Sequence, residues 1–230
     1  MTIKAVTFDL DDTLWPIAPT ILRAEQVLQA WLERHAPAVA LAYPPETMRT
    51  LRPEAMAHAE ANGTAHDLRG VRRYQIGLAF ARAGADARLV EDAYRVFEHQ
   101  RQEVELYPDV AVALEAIASR YAIGGITNGF ADLERTGIGR HFRFSLAAGE
   151  FGIAKPDPSI FRAACDKLGH PPEHVLHVGD DPHTDILGAR RVGMHTAWIN
   201  RRSATWVLDE APHAEFAELG ALVEWLDNRG

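Results

Sequence analysis

The hydrophobic positions change period twice along the chain. From Lys4 to Phe8 runs a short apolar segment rich in β-forming residues, which stops abruptly at Asp9-Leu10-Asp11-Asp12-Thr13. This predicts a buried first strand followed by an acidic loop. Between Pro16 and about Gln102 the apolar residues recur at helical spacing, as in Ile21, Leu22, Val27, Leu28, Trp31 and Leu32, and again in Leu89, Val90, Ala93, Val96 and Phe97. No strand is needed there, and Pro44-Pro45, Pro53, Asn62-Gly63 and Gly84 divide the stretch into about four helices.

After Leu106-Tyr107-Pro108-Asp109 the texture alternates. The pattern predicts helices near Val110–Ser119, Ala131–Thr136, Pro158–Leu168, Thr184–Val192 and Glu215–Leu226, separated by strands at Tyr121–Ile126, Phe144–Ala147, His174–Val178 and Thr196–Ile199. Strands and helices in this rhythm predict an α/β fold, a Rossmann-like, doubly wound and mostly parallel sheet. The first strand belongs to that sheet, so the helical stretch leaves the core and returns. The expected division is a core of residues 1–15 and 103–230 with a helical insert over 16–102.

Composition narrows the function classes. With 47% hydrophobic and 24% charged residues the chain is that of an ordinary globular protein, which excludes disordered, collagenous and coiled-coil readings. A net charge of -8 with no basic run argues against nucleic acid polymers and anionic membranes as partners. The single cysteine, Cys165, can form neither an internal disulfide nor a thiolate cluster and reads as a small core residue in a reducing compartment. The apolar stretch before Asp9 is too short for a signal peptide or a membrane span, so a cytoplasmic location is expected. The sequence gives no preference for an oligomeric state.

In doubly wound sheets ligands bind beyond the carboxyl ends of the strands, which makes polar residues just after strands the candidates. Four such places stand out: Asp9 and Asp11; Thr127-Asn128-Gly129; the loop Gly152-Ile153-Ala154-Lys155-Pro156; and Asp180, Asp181 and Asp185. Taken alone each is weak, since 15 aspartates in 230 residues place a D-x-D pair about once in a random chain of this composition. Thr127 could equally be a helix N-cap, and Asp185 a first-turn helix acid favoured by the dipole. His58, His66 and His99 have no partner at ligand spacing, and His177 lies inside a strand, so the histidines read as structural or solvated.

Taken in order, the four stretches FDLDDT, ITNG, the Lys155 loop and VGDDPHTD resemble the motifs of the haloacid dehalogenase superfamily, and the insert after the first motif is similar to that family's C1 type of cap. The resemblance implies a Mg²⁺-dependent phosphomonoesterase. Asp9 would be the nucleophile that forms an aspartyl-phosphate and Asp11 the general acid and base. Thr127, Asn128 and Lys155 would contact the phosphoryl group. Asp9, Asp180 and the Asp11 carbonyl would hold the metal, with Asp185 and, more weakly, Asp181 in a supporting shell.

Dehalogenase members, as the family pattern has it, lack the second aspartate and need no magnesium, so Asp11 and Asp180 favour a phosphatase. Within the phosphatases the sequence is most similar to the flavin mononucleotide and riboflavin-pathway branch, on Asp9-Leu10-Asp11-Asp12-Thr13-Leu14-Trp15, Ile21-Leu22-Arg23, His177-Val178-Gly179-Asp180-Asp181 and Gly193-Met194. Ile126-Thr127-Asn128-Gly129-Phe130 also resembles pyrimidine nucleotidases, and a nucleoside 5'-monophosphate or phosphoglycolate stays open as the substrate. A 2-haloacid dehalogenase, a phospho-acceptor signalling module and a catalytically silent binding relative are the remaining alternatives. Trp15 and the arginines Arg69, Arg72 and Arg73 are candidate substrate contacts, by stacking and by charge. Hinge packing for Trp15 and a solvated helix face for the arginines are the plainer alternatives.

Overall fold

The computed structural model describes residues 2–228. They form two compact units: one runs up to Pro16 and resumes at Glu105, and the other is Ile17–Val104.

The first unit is built on a six-stranded, all-parallel sheet. Its strands are β1 (Ala5–Phe8), β2 (Ala122–Thr127), β3 (Phe144–Ala147), β4 (Val175–Gly179), β5 (His195–Ile199) and β6 (Ala214–Phe216), in the spatial order β3-β2-β1-β4-β5-β6. All residues of β1 and β4 are buried, as expected of central parallel strands covered on both faces. The chain moves outward from β1 to β3, returns beside β1 as β4, and moves outward again, so the order reverses between β1 and β4. The carboxyl ends of those two strands therefore border the crevice in which such sheets bind ligands. Packing sets some residue choices that periodicity does not. A Cβ on Gly124 would meet the tip of the Phe144 ring at 2.5 Å, so glycine there leaves room for the ring that β3 lays across β2.

The second unit is helical. It contains α1 (Ile17–His35), α2 (Pro37–Ala42), α3 (Pro45–Arg49), α4 (Arg52–Ala61), α5 (Leu68–Arg82) and α6 (Val90–Arg101). These are six helices where breaker positions predict about four. Pro37, Pro45 and Pro53 lie in the first turn of α2, α3 and α4, where a missing N–H costs nothing, so proline starts helices here as well as ending them.

The first unit continues with α7 (Val110–Ala118), α8 (Ala148–Phe151), α9 (Pro158–Leu168), α10 (Gly188–Arg190) and α11 (Leu219–Asp227). One apolar cluster joins Ala5, Ile126, Leu146 and Val175 of the sheet to Ile160, Phe161, Ala164, Cys165 and Leu168 of α9.

Three expected helices are corrected. Residues 131–136 form no helix: the Asp132 side chain accepts from the Glu134 amide at 3.0 Å, a turn that competes with helix, and Gly137 follows at φ +79°. The helix expected over 184–192 is a wider π turn, Pro182–Leu187, followed by the short α10. The residues from Glu215 first form β6, paired with β5, and only then α11. Among the described residues no helix is long and apolar enough to cross a membrane.

Candidate active site

The carboxyl end of β1 opens into a tight loop in which the Leu14 amide donates to the Leu10 carbonyl at 2.8 Å and the Asp12 amide to the Trp15 carbonyl at 2.7 Å. Asp12 closes the loop at φ +62°, a left-handed conformation that aspartate tolerates better than most residues. The loop sorts its polar side chains. Asp9 is buried with its backbone N–H on the Val178 carbonyl of β4, and the Thr13 hydroxyl lies 3.0 Å from Asp9 Oδ2 and 3.2 Å from Asp180 Oδ1. Thr13, the last residue of the first motif and not singled out in the sequence, thus touches two of the predicted acids. Its carbonyl is held in turn by the Arg201 guanidinium, which also makes a two-pronged ion pair with Asp109 at 3.0 Å and lies over the Tyr107 ring at 4.0 Å.

Lys155 reaches the same place from the loop after α8. Its Nζ donates to Asp9 Oδ1 and to Asp185 Oδ1, both at 2.6 Å. Asn128, at the end of β2, fixes the lysine backbone: its side chain accepts from the Lys155 amide at 2.8 Å and donates to the Lys155 carbonyl at 3.0 Å. Next to it, buried Thr127 accepts from the Gly129 amide at 2.9 Å through its hydroxyl oxygen, which leaves the hydroxyl hydrogen for another acceptor.

Beyond β4, the Asp180 carbonyl accepts from the Trp198 indole at 2.7 Å. Asp185 turns inward from the π turn and accepts three hydrogen bonds: Oδ1 takes Lys155 and His177 Nε2 (3.3 Å), and Oδ2 takes the Asp181 amide (3.1 Å). Asp181 points the other way. Its carboxylate caps the π turn through the His183 and Thr184 amides at 2.9 and 2.7 Å, the role of a helix N-cap.

The electrostatics follow from three carboxylates gathered around one ammonium. Oxygens of Asp9, Asp180 and Asp185 all lie within 4.8 Å of one another. Burial would lower Lys155, but Asp185 and Asp9 outweigh it and keep the ammonium charged. Burial would likewise raise Asp185, but Lys155 and the His177 hydrogen bond win and hold it well below the usual carboxylate range. The excess negative charge falls on the other two. Burial drives Asp9 well above its usual value against the opposing pull of Lys155, with Asp185 and Asp180 adding to the rise. Burial, Asp185 and Asp12 push Asp180 up to about 7. An all-oxygen donor set in which burial and mutual repulsion raise Asp9 and Asp180 fits a hard divalent cation, which would favour the ionised form of both.

Over residues 3–193 the chain matches the family model of haloacid dehalogenase-like hydrolases. It belongs to that family. This hydrolase is 34% identical to the 5-amino-6-(5-phospho-D-ribitylamino)uracil phosphatase YigB of Escherichia coli K12, over 96% of this chain and 94% of the relative. A 40% identical match to the pyrimidine 5'-nucleotidase YjjG of the same strain covers 40% of this chain and 44% of that one. Among solved structures, that of a 2-haloacid dehalogenase from Pseudomonas syringae pv. Tomato DC3000 superposes with a TM-score of 0.90 at 37% identity, over the full length of both chains.

Two sequence-derived substrate contacts are placed elsewhere in this hydrolase. Trp15 is 0% exposed, so its ring offers no stacking surface; its indole N–H instead donates to Asp11 Oδ1 at 2.8 Å. Arg72 is buried within α5, paired with Glu25 at 3.4 Å and lying over the Phe97 ring at 4.2 Å. Each side chain is engaged by a carboxylate of the chain, part-buried Asp11 or buried Glu25, and residue type alone does not separate that use from ligand recognition. Arg73 is likewise engaged, with Glu91 at 2.9 Å and over the Tyr94 ring.

Proposed function

We propose that the chain is a phosphomonoesterase that works through an aspartyl-phosphate on Asp9. The observation that carries this reading is Asp11: a second carboxylate two residues from the nucleophile, fixed by the Trp15 indole at 2.8 Å. Halide leaves carbon without needing a proton, whereas an alkoxide leaving phosphorus needs one, so a held acid beside the nucleophile suits phosphate esters better than haloacids.

An Asp9 carboxylate oxygen attacks phosphorus, the ester P–O bond breaks, and the departing alkoxide takes the Asp11 proton. Asp11, now a carboxylate, draws a proton from water, whose oxygen attacks the same phosphorus and breaks the bond to Asp9, releasing inorganic phosphate. Lys155 holds its charge against Asp9 throughout, and the Thr127 hydroxyl and Asn128 backbone N–H donate to the phosphoryl oxygens. Loss of one such donor costs about 10²–10³ in rate. Asp9, Asp180 and the Asp11 carbonyl are the residues that would hold Mg²⁺, which when bound neutralises phosphoryl charge. Asp185, whose Oδ1 already takes Lys155 and His177, is assigned to holding Lys155.

The match to YigB over nearly the whole chain makes a riboflavin-pathway phosphate ester or flavin mononucleotide the first substrate choice. The shorter match to YjjG supports a pyrimidine 5'-monophosphate as the second. The test is phosphate release from flavin mononucleotide, the ribitylaminouracil phosphate, nucleoside monophosphates, sugar phosphates and phosphoglycolate, each with Mg²⁺ and with EDTA. A Mg²⁺-dependent peak on one ester, abolished in a folded Asp9→Asn variant, is expected. Turnover that survives Asp9→Asn overturns the mechanism, and halide release from 2-haloacids without phosphate release overturns the activity.

A further inference from the structure

Two polar side chains face each other inside the apolar body of the sheet. Thr7 of β1 and His177 of β4 are in register, both are 0% exposed, and the Phe161 ring of α9 stands edge-on to the imidazole at 5.1 Å. Neither is among the residues to which the proposed reaction assigns a step, yet they connect to it. Thr7 Oγ1 lies 2.9 Å from His177 Nδ1, and His177 Nε2 lies 3.3 Å from the Asp185 oxygen that also receives Lys155.

The hydrogens on this chain are determined by chemistry. An ionised carboxylate only accepts, so the hydrogen at the Asp185 contact sits on Nε2. A second buried cation beside the Lys155 ammonium is unfavourable, so the imidazole is neutral and Nδ1 is a lone pair. The Thr7 hydroxyl therefore donates to Nδ1. We propose that Thr7 and His177 are positioning residues: the Thr7 hydroxyl locks His177 in its Nε2–H tautomer, and His177 holds the Asp185 carboxylate in the orientation that keeps Lys155 on Asp9. Without the Thr7 donor the ring can carry its hydrogen on Nδ1, and the Nε2 lone pair then faces the Asp185 oxygen and repels it. The catalytic part of this inference rests on the phosphatase reading.

Thr7→Val keeps the β-branched shape and removes only the donor, and Thr7→Ser restores it. Long-range ¹H–¹⁵N NMR of ¹⁵N-histidine-labelled protein at pH 7.5, with the His177 signal assigned by its loss in His177→Gln, is expected to show the Nε2–H tautomer in wild type and Thr7→Ser. Nδ1–H or imidazolium in wild type overturns the proposal. On p-nitrophenyl phosphate with Mg²⁺, Thr7→Val is expected to lower kcat per folded molecule by about tenfold to a hundredfold, the range for removing an outer-shell partner, and Thr7→Ser to rescue it. Wild-type kcat in Thr7→Val, or no rescue by Thr7→Ser, overturns the positioning role. A wild type that releases no phosphate overturns the phosphatase reading, and the tautomer of Thr7→Val then still decides the lock: an Nδ1–H population is expected there, and a ring that stays wholly Nε2–H overturns it.

Discussion

A methyl group at Gly179 would sit 2.4 Å from the Asp185 carboxyl carbon and 2.6 Å from its Cβ. Neither atom is the loose end of a flexible chain, because that carboxylate is pinned by Lys155, His177 and the Asp181 amide. Gly179→Ala is therefore expected to displace Asp185 and loosen Lys155, lowering kcat by about tenfold or more while the far-UV CD spectrum stays native. Unchanged kcat would show that Asp185 can move without cost to the lysine. The same argument explains why this glycine precedes the Asp180-Asp181 pair: the strand must end without a side chain so that an acid from the following turn can fold back over it.

At the scale of elements, Asp109 shows how a cap can be diverted. It occupies the N-cap position of α7 without a side-chain bond to that helix, and its Oδ2 instead accepts from the Leu219 amide at 2.7 Å, at the start of α11. The same carboxylate takes both prongs of Arg201, whose guanidinium also binds the Thr13 carbonyl. Burial would raise Asp109, but Arg201 and the Leu219 amide outweigh it and hold the group below its usual value. A depressed acid contributes stability that is present above the unfolded value, near 3.9, and lost as pH falls through the folded one. Wild type is thus expected to lose stability between about pH 5 and its acid transition more steeply than Asp109→Asn. At pH 7 that variant should be weaker by about 1–3 kcal/mol in urea melts. Parallel acid profiles for the two proteins would show that Asp109 is not held down by its partners.

At the scale of the whole molecule, the charge excess around Lys155 is a store of instability that a bound cation would relieve. Asp180 titrates near 7, far above its usual value, so without metal the folded protein holds a proton that the unfolded chain has released. Stability from that proton is complete below the unfolded value and is lost as pH rises through about 7. In EDTA, Tm is expected to fall between pH 5.5 and 8, and to fall less in Asp180→Asn. At pH 8, Mg²⁺ at a hundred times its Kd is expected to add about 2.7 kcal/mol, raising Tm by 5–10 °C in wild type and little in Asp180→Asn. Equal shifts in both proteins would move the cation away from Asp180.

Much of this was legible in the chain itself, because period and punctuation are local properties. The buried strand before Asp9, the helical texture of the insert and the α/β alternation after Pro108 follow from side-chain spacing that each element must satisfy for its own burial. Asp9, Thr127, Lys155 and Asp180 stood out because their four stretches follow one another in the order of a family's motifs, although each taken alone also has a structural reading. Tertiary structure alone decided the partners. That Thr13 bridges Asp9 and Asp180, and that Asp185 is engaged by Lys155 and His177, depend on residues up to 167 positions apart meeting across one sheet, whereas Asp181 turns away to cap the π turn through amides two and three residues on. Trp15 and Arg72 carry the chemistry of ligand contacts, but burial gave them neighbours to satisfy first. Sequence names the groups able to do chemistry, whereas which of them remain available is set by hydrogen bonds that exist only once the strands are side by side.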